Sequence, residues 1–307
     1  MSISKILITG ASGMLGSEII EQLDNKYSII ATTHEKGLNE VLPDFKMVES
    51  KIDITEARDI AKLMFFKPQF IIHCAAYTDV DGCETNWNRC WRVNVDGTKN
   101  ICVVAKELNV PLIYISTDFV FDGRKGTLYY ENDYTRPINF YGASKLAGEI
   151  LVQTMVKNYK IIRTSWLYGK NGKNFVDSII KKAREIGELK VVDDQVGSPT
   201  FTKDLARILE KMIDIKEYGV YHFCNYGLCS WYDFAKKTLE ILDIDIPILR
   251  IKSNELDRPA MRPRFSGLST DKITQVIRRK YKTLGGEIRH WEEALKIYLG
   301  ETNDTRG

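Results

Sequence analysis

The 307-residue sequence has no long apolar run, no Cys-x-x-Cys pair and no marked excess of either charge. Each absence removes a class of function. No run is long enough to span a bilayer, and Met1-Ser-Ile-Ser-Lys5 passes directly into a strand-like segment in place of a signal-peptide pattern, so the expected setting is cytoplasmic, with no membrane partner. The six cysteines (Cys74, Cys83, Cys90, Cys102, Cys224, Cys229) show no zinc-type spacing with one another or with histidine. Reduced thiols and no metal site are therefore expected. Basic and acidic residues number 44 and 41, interspersed along the chain, and a net charge of +3 offers no support for a nucleic-acid partner. Repeats and low-complexity segments are also missing. What is present is 44% hydrophobic composition, enough for a full core without staples in one large domain or two modest ones.

The first half alternates short apolar runs with helix-period segments, the pattern of βαβ units in a doubly wound parallel α/β sheet. Strands are expected at Lys5 to Thr9, Ser28 to Thr33, Phe70 to Cys74, Leu112 to Ser116 and Lys160 to Arg163. Helices are expected at Met14 to Leu23, Glu56 to Phe66, Arg89 to Leu108 and Tyr141 to Val156. After about Trp166 the regularity loosens. Lys170-Asn-Gly-Lys173, Asp193 to Thr200 and Asp257 to Pro263 read as loops of a smaller lobe over the strand ends, and Glu301 to Gly307 as a frayed tail.

Gly10-x-x-Gly13-Met14-Leu15-Gly16 follows a strand and opens a helix, the context in which glycines form a dinucleotide loop. They allow a tight turn and close approach to a pyrophosphate, which the helix N-terminus attracts. At the end of the second strand, Thr33 and His34, with Glu35 and Lys36 beyond, tolerate a 2′-phosphate better than a carboxylate would. NADPH is favoured, with NADH also admissible. Asp53-Ile54 would meet the adenine, Asp53 doubling as a helix N-cap, while the small residues of Cys74-Ala75-Ala76-Tyr77 would let the cofactor pass.

Tyr141-Gly-Ala-Ser-Lys145 supplies the reaction chemistry, since Tyr and Lys four apart on a helix share one face. Hydride delivery to a carbonyl leaves charge on oxygen, so a donor must give a proton while another group holds that oxygen. Tyr141 is the expected donor and Thr117 the positioning hydroxyl. Lys145 is expected to lower the phenol's pKa and to bond the nicotinamide ribose. Asn94 would brace the central sheet or a water chain, or else stand as an exposed helix asparagine.

These residues resemble the extended short-chain dehydrogenase/reductase superfamily and, more narrowly, its dTDP-4-dehydrorhamnose reductase branch. The blocks that carry the resemblance are Cys74-Ala-Ala-Tyr-Thr-Asp-Val-Asp81, Ser116-Thr-Asp-Phe-Val-Phe-Asp-Gly123, Tyr141-Gly-Ala-Ser-Lys-Leu-Ala-Gly-Glu149, Arg163-Thr-Ser-Trp-Leu-Tyr168 and Asp194-Gln-Val-Gly-Ser-Pro-Thr200. The resemblance implies a Rossmann-type domain over residues 1–165 and, over 166–307, mainly a sugar-nucleotide lobe with segments returning to the Rossmann core. It implies an enzyme reducing the 4-keto group of a dTDP-6-deoxyhexose, with Tyr141 as proton donor and Lys145 in the cofactor and pKa role. Thr117, Asp118 and Trp166 become substrate contacts, the indole placing an aromatic face against a sugar ring. Gly13, Met14, Leu15, Thr33, Asp53, Ile54, Ala75, Ala76 and Tyr77 fall at cofactor positions. Phe119 stands where the family usually has tyrosine, and Arg258 or Arg262 is a candidate clamp for a diphosphate. Some members bind magnesium at a dimer contact, so a homodimer is compatible with the family, while Asp193-Asp194 reads as a solvated loop. Two other outcomes share these motifs: a regulatory subunit like the beta subunit of methionine adenosyltransferase, and a sugar-nucleotide epimerase or dehydratase.

Overall fold

Alternating apolar runs build one parallel sheet that carries the C-terminal strand ends to a common edge. In the computed structural model, which describes residues 5–34, 37–43, 48–282 and 288–303, these strands are β1 (Lys5–Thr9), β2 (Ser28–Thr33), β3 (Val48–Lys51), β4 (Phe70–His73), β5 (Leu112–Thr117) and β6 (Tyr159–Thr164). A seventh strand, Gly219–His222, completes the order seventh-β6-β5-β4-β1-β2-β3, with every pair parallel. The order reverses between β1 and β4, where Thr9 lies beside His73, and such a switch point leaves a crevice at the strand ends.

Successive residues of a strand face opposite sides, and the core divides accordingly. Ile6 and Ile8 pack with α1 (Met14–Leu23) on one face, while Leu7 packs with α2 (Ala57–Phe65) on the other. The side of Leu7 also receives α5 (Thr98–Glu107) and α6 (Phe140–Met155). Between α2 and α5, α3 (Val80–Thr85) and α4 (Trp87–Trp91) follow β4. A second cluster gathers α7 (Phe175–Ile186), α9 (Trp231–Ile241) and α11 (Trp291–Asn303) around Tyr168, Phe201 and Phe234. In contrast, α8 (Thr202–Ile213) and α10 (Asp271–Tyr281) pack on the large sheet beside α1. Burying each leucine or isoleucine in these layers contributes about 1.5 to 3 kcal/mol.

The expected bounds of β1, β2 and α1 match those observed, and the other expected elements shift by a residue or two, with one exception. The helix expected over Arg89 to Leu108 is interrupted: α4 ends at Trp91, a π-helical turn spans Arg92–Gly97, and α5 begins at Thr98. Asn94 explains the interruption, because the wide turn aims its side chain inward at three hydrogen-bond partners (below). The stretch Asp193 to Thr200 is not wholly loop, since Val196–Gly197 pairs with Cys229–Ser230 and Thr200–Phe201 pairs with Leu167–Tyr168. Nor does the chain fray at Glu301: α11 continues to Asn303, and Glu301 bonds Lys203 at 2.5 Å and Lys170 at 3.6 Å. Residues 304–307, like Glu35 and Lys36, lie outside the described residues. Among the described residues no helix is long and apolar enough to cross a membrane.

Candidate active site

The residues nominated above for cofactor, catalysis and substrate, Arg258 excepted, border one cleft of about 1410 Å³ at the strand ends. Its floor begins at the glycine turn. Gly10 has φ +68, and a Cβ there would lie 2.8 Å from the backbone of Ala75, so β1 and β4 can approach this closely only with glycine. Gly16 is tighter still, since its Cβ would fall 2.2 Å from the Gly10 carbonyl oxygen. Gly13, at the N-cap of α1, is the open position, where a Cβ would meet only that oxygen, at 3.2 Å. The turn holds itself through Gly13 N–H donating to Gly10 O at 3.0 Å, leaving a cradle at a helix N-terminus that a pyrophosphate fits.

Farther along, the buried Thr33 hydroxyl donates to Glu49 at 2.9 Å, a carboxylate that also accepts from Leu38 N–H. The acidic neighbour of Thr33 thus comes from β3, where periodicity offered no signal. Asp53 accepts from the Thr55 amide and hydroxyl, at 2.9 and 2.8 Å, and lies 3.5 Å from His34. Those bonds hold its carboxyl below the usual range against the opposing effect of burial. Its expected second role is corrected, since Glu56 occupies the N-cap of α2 and Asp53 closes the preceding turn. Asn94 grips the cofactor-side segment from beneath. It accepts from Tyr77 N–H at 2.7 Å, and its amide group donates to Tyr77 O at 3.0 Å and to Ser144 Oγ on α6 at 2.9 Å.

At the reaction centre α6 starts with Asn139 as N-cap, accepting from Gly142 N–H at 2.7 Å, which presents Tyr141 and Lys145 to the cleft. The Thr117 hydroxyl reaches both the Tyr141 phenol and, at 3.0 Å, Asp118 Oδ1. The ring of Phe119 stands edge-on to Tyr141, with centroids 5.9 Å apart and planes at 78°, so the residue that replaces the family's tyrosine supplies an apolar wall. Burial dominates the electrostatics here. It pushes Lys145 down to about 7 and Asp118 up to about 7. Burial also pushes the Tyr141 phenol up, with Asp118 adding to the rise and the Thr117 hydrogen bond opposing it. The expected acidification of the phenol by Lys145 is therefore not met in this geometry. A lysine desolvated to that degree carries only part of its charge near neutrality.

Trp166 borders the cleft as one member of a stacked pair. It sits at φ +47, and its indole is stacked on Trp231 with centroids 3.6 Å apart and planes at 7°. A Cβ on Gly197 would lie 2.8 Å from the same ring. One face is thus covered by Trp231 and the ring is crowded by Gly197, so Trp166 meets the cleft as part of a stacked pair in place of a free platform. Trp231 Nε1 donates to Gln195 at 3.2 Å, and Gln195 donates to Ser253 at 2.9 Å, which fixes the pair. Arg262 is committed elsewhere, holding Asp81 through two bonds of 2.7 Å, an ion pair that ties the 257–263 segment to α3. Asp193 lies 2.8 Å from Lys252 and Asp194 accepts from Ser253, so the acidic pair is engaged. Among the described residues no His, Cys, Asp and Glu group is arranged to hold a metal.

Sequence reasoning did not single out Trp231, Lys173 or Asn174, all of which border the cleft. For Asn174 a signal was readable: Asn174-Phe-Val-Asp177 is a cap followed by an acid at the third helical position, and Asn174 does accept from Asp177 N–H at 3.0 Å. Nothing in the pattern around Trp231 separates it from a core aromatic at the start of a helix.

Comparison with known proteins agrees with this geometry. A family described as "RmlD substrate binding domain" matches residues 4–303. The spore coat polysaccharide biosynthesis protein SpsK of Bacillus subtilis (strain 168) is 36% identical over 300 residues, covering 97% of this chain and 98% of that protein. A dTDP-4-dehydrorhamnose reductase of Aggregatibacter actinomycetemcomitans is 36% identical, with 95% and 97% covered. The crystal structure of dTDP-4-dehydrorhamnose reductase from Bacillus anthracis str. Ames in complex with NADP superposes with a TM-score of 0.86 at 35% identity, covering 98% of this chain and all of that one. With its motifs gathered in one cleft and its matches running nearly end to end, the chain belongs to the dTDP-4-dehydrorhamnose reductase family.

Proposed function

We propose that this protein is an NADPH-dependent reductase of the 4-keto group of a nucleotide-activated 6-deoxy sugar, converting dTDP-4-dehydro-L-rhamnose to dTDP-L-rhamnose for polysaccharide synthesis in the cytoplasm. The observation that carries the reading is that Thr117, Tyr141 and Lys145 share one cleft with the Gly10–Gly16 cradle, in a chain whose full-length relatives bear this activity's name. Residues 1–165 would chiefly hold the cofactor and residues 166–307 chiefly the sugar nucleotide. The glycine cradle fits a pyrophosphate because Gly13 leaves open the space that a Cβ would fill. Thr33, His34, Asp53 and Ile54 would line the adenosine end, and Ala75, Ala76 and Tyr77 the path toward the nicotinamide. When bound, the reduced nicotinamide supplies the hydride.

The protein's own residues manage the proton. Tyr141 gives its hydroxyl proton to the oxygen on which charge develops, and Thr117 donates a hydrogen bond that holds this oxygen in place. A phenol of raised pKa still suffices here, because the alkoxide it protonates is more basic than the phenolate left behind. Lys145, on the same helix one turn from Tyr141 and bordering the same cleft, would bond the cofactor ribose and steady that phenolate. With Arg262 engaged by Asp81, Lys173 and the N-terminus of α7 are the better-placed groups for the substrate's diphosphate. The test is direct. Purified protein given dTDP-4-dehydro-L-rhamnose and NADPH should consume one cofactor per dTDP-L-rhamnose formed, followed by absorbance and by NMR of the product. No consumption across a panel of dTDP- and UDP-keto sugars, or product formed with the cofactor regenerated, would reject the proposal.

A further inference from the structure

Lys145 is buried at the cleft edge, and an ammonium in such a place needs a partner. Beneath it lies the ring of Tyr114, on β5, with Lys145 Nζ 4.1 Å from the ring centroid. Tyr114 is itself completely buried, its hydroxyl donating to the Lys145 carbonyl at 3.4 Å and its ring tilted against His73 at 5.6 Å. Room for it is made by Gly148, on the same helix as Lys145. A Cβ at Gly148 would fall 2.3 Å from the Tyr114 hydroxyl oxygen and 2.9 Å from the carbon that bears it. Glycine in mid-helix costs stability, so its presence calls for a local reason. The seat of the tyrosine is that reason.

The groups facing Lys145 from the surrounding elements are few. They are Glu149 and Tyr141 on α6, Cys90 on α4, and Cys74 and His73 at and just beyond β4. Glu149, the carboxylate in this set, is spent on Arg163, at 2.7 and 2.9 Å, and on the Ser116 hydroxyl at 2.5 Å. His73 is pushed down to about 3 by burial and by Lys145, so it stays neutral. Cys74 is pushed up to about 12 and stays protonated. An aromatic face differs from a carboxylate in one respect that matters: it attracts an ammonium without accepting its N–H bonds in directed fashion, leaving all three donors for other partners.

We propose that Tyr114, seated by Gly148, is a positioning residue that keeps Lys145 charged and its donors free to turn into the cleft. The proposal rests on the role given to Lys145 above. It is read first without turnover, by following the Lys145 side-chain signal in protein carrying isotope-labelled lysine through a pH titration, with a Lys145→Met variant to assign the resonance. Tyr114→Leu should lower the Lys145 titration by about one pH unit, the size of a desolvated cation–π contact, whereas Tyr114→Phe should leave it within about 0.3 unit. Gly148→Ala should lower it as Tyr114→Leu does while keeping the core volume, which covers the case of a leucine variant that does not fold. The double variant Gly148→Ala/Tyr114→Phe, which removes the nearer obstructing atom but leaves the ring carbon at 2.9 Å, should bring the value part of the way back toward wild type. The alkaline limb of kcat/KM should move with the titration. An unchanged or raised Lys145 pKa in both Tyr114→Leu and Gly148→Ala overturns the proposal. A titration that shifts without any movement of the alkaline limb supports the ring's role and counts instead against the catalytic role of Lys145.

Discussion

Replacing Gly16 by alanine separates what the glycine turn does for folding from what it does for the cofactor. The new Cβ would sit 2.2 Å from the Gly10 carbonyl oxygen and 2.8 Å from the Ala11 Cα, so the turn must move by more than 1 Å to reach ordinary contact at about 3.4 Å. The Gly10 carbonyl cannot move freely, because it accepts Gly13 N–H at 3.0 Å and its residue abuts the backbone of Ala75. Overpacking of this kind costs about 1 to 3 kcal/mol, and loss of the hydrogen bond adds about 1 to 2. The helix propensity of alanine returns about 1 kcal/mol. A net destabilisation of about 1 to 4 kcal/mol should lower the melting temperature of a chain this long by about 2 to 6 °C. Gly13→Ala is the control, with φ −81 and a single contact at 3.2 Å, so its cost should stay below about 1 kcal/mol. Its methyl group, however, enters the cleft. Melting scans with and without NADPH resolve the two effects, since ligand binding to the native state raises the transition by mass action. Gly16→Ala should melt early, whereas Gly13→Ala should melt near wild type and lose most of the NADPH-induced increase. A Gly16→Ala protein that melts within about 1 °C of wild type and is stabilised normally by NADPH would refute the argument.

Three other consequences can be measured. Tyr141→Phe keeps the ring against Phe119 but removes the proton, so kcat should fall by about 10²- to 10⁴-fold with NADPH affinity unchanged, and a loss below about threefold would count against a proton-donor role. Trp231→Ala removes the stack that holds Trp166, so the KM for the sugar nucleotide should rise by about 3- to 10-fold while the NADPH Kd holds, measured by steady-state kinetics and cofactor titration. Stability against pH should show two regimes. His73 and His222 are held near 3 by burial, so the unfolded chain binds more protons between about pH 6.5 and 3 and stability drains as pH falls through that window. Asp118 and Glu18, raised to about 7, bind protons in the folded state and act in the opposite sense from about pH 7 down to their unfolded values near 4. Melting temperature should therefore change little between about pH 6.5 and 5 and fall steeply below about pH 4. Replacing His222 with glutamine should flatten that lower limb, and an unaltered slope would show that the imidazole is not the source.

Legibility from sequence followed the range of the forces involved. β1, α1 and β2 are local, set by alternation, a glycine turn and a helix period within a few residues, and their bounds could be read directly. Gly219–His222 could not, because a short strand late in the chain joins the sheet only through pairing with β6 nearly sixty residues earlier. The π-helical turn at Arg92–Gly97 exists for the bonds of Asn94 to Tyr77 and Ser144, contacts that periodicity does not encode. Residues that the structure gathers in the cleft were legible where a motif held them, as with Thr117, Tyr141 and Lys145. Pairings that arise only in three dimensions were not, and these include Trp166 on Trp231, Arg262 on Asp81 and Glu49 on Thr33.

The missed electrostatics have a single cause with a mechanistic consequence. Reasoning along a helix face, Lys145 lies one turn from Tyr141, and Coulomb's law makes the phenol more acidic. The fold instead sets these groups deep at the strand ends, with Phe119 walling one side and the Tyr114 ring opposing the loss of charge on Lys145. Burial drives ionisable groups toward their neutral forms, and Tyr141, Asp118 and Lys145 all shift in that direction. Neutral donors with protons in hand suit a ketone reduction, where negative charge appears on the substrate oxygen. In the proposed reaction that charge would meet the Tyr141 proton, the Thr117 hydroxyl and the Lys145 ammonium held over the Tyr114 ring. Stabilisation is thereby concentrated on the transition state and withheld from the resting site, which is the condition for binding energy to accelerate the reaction.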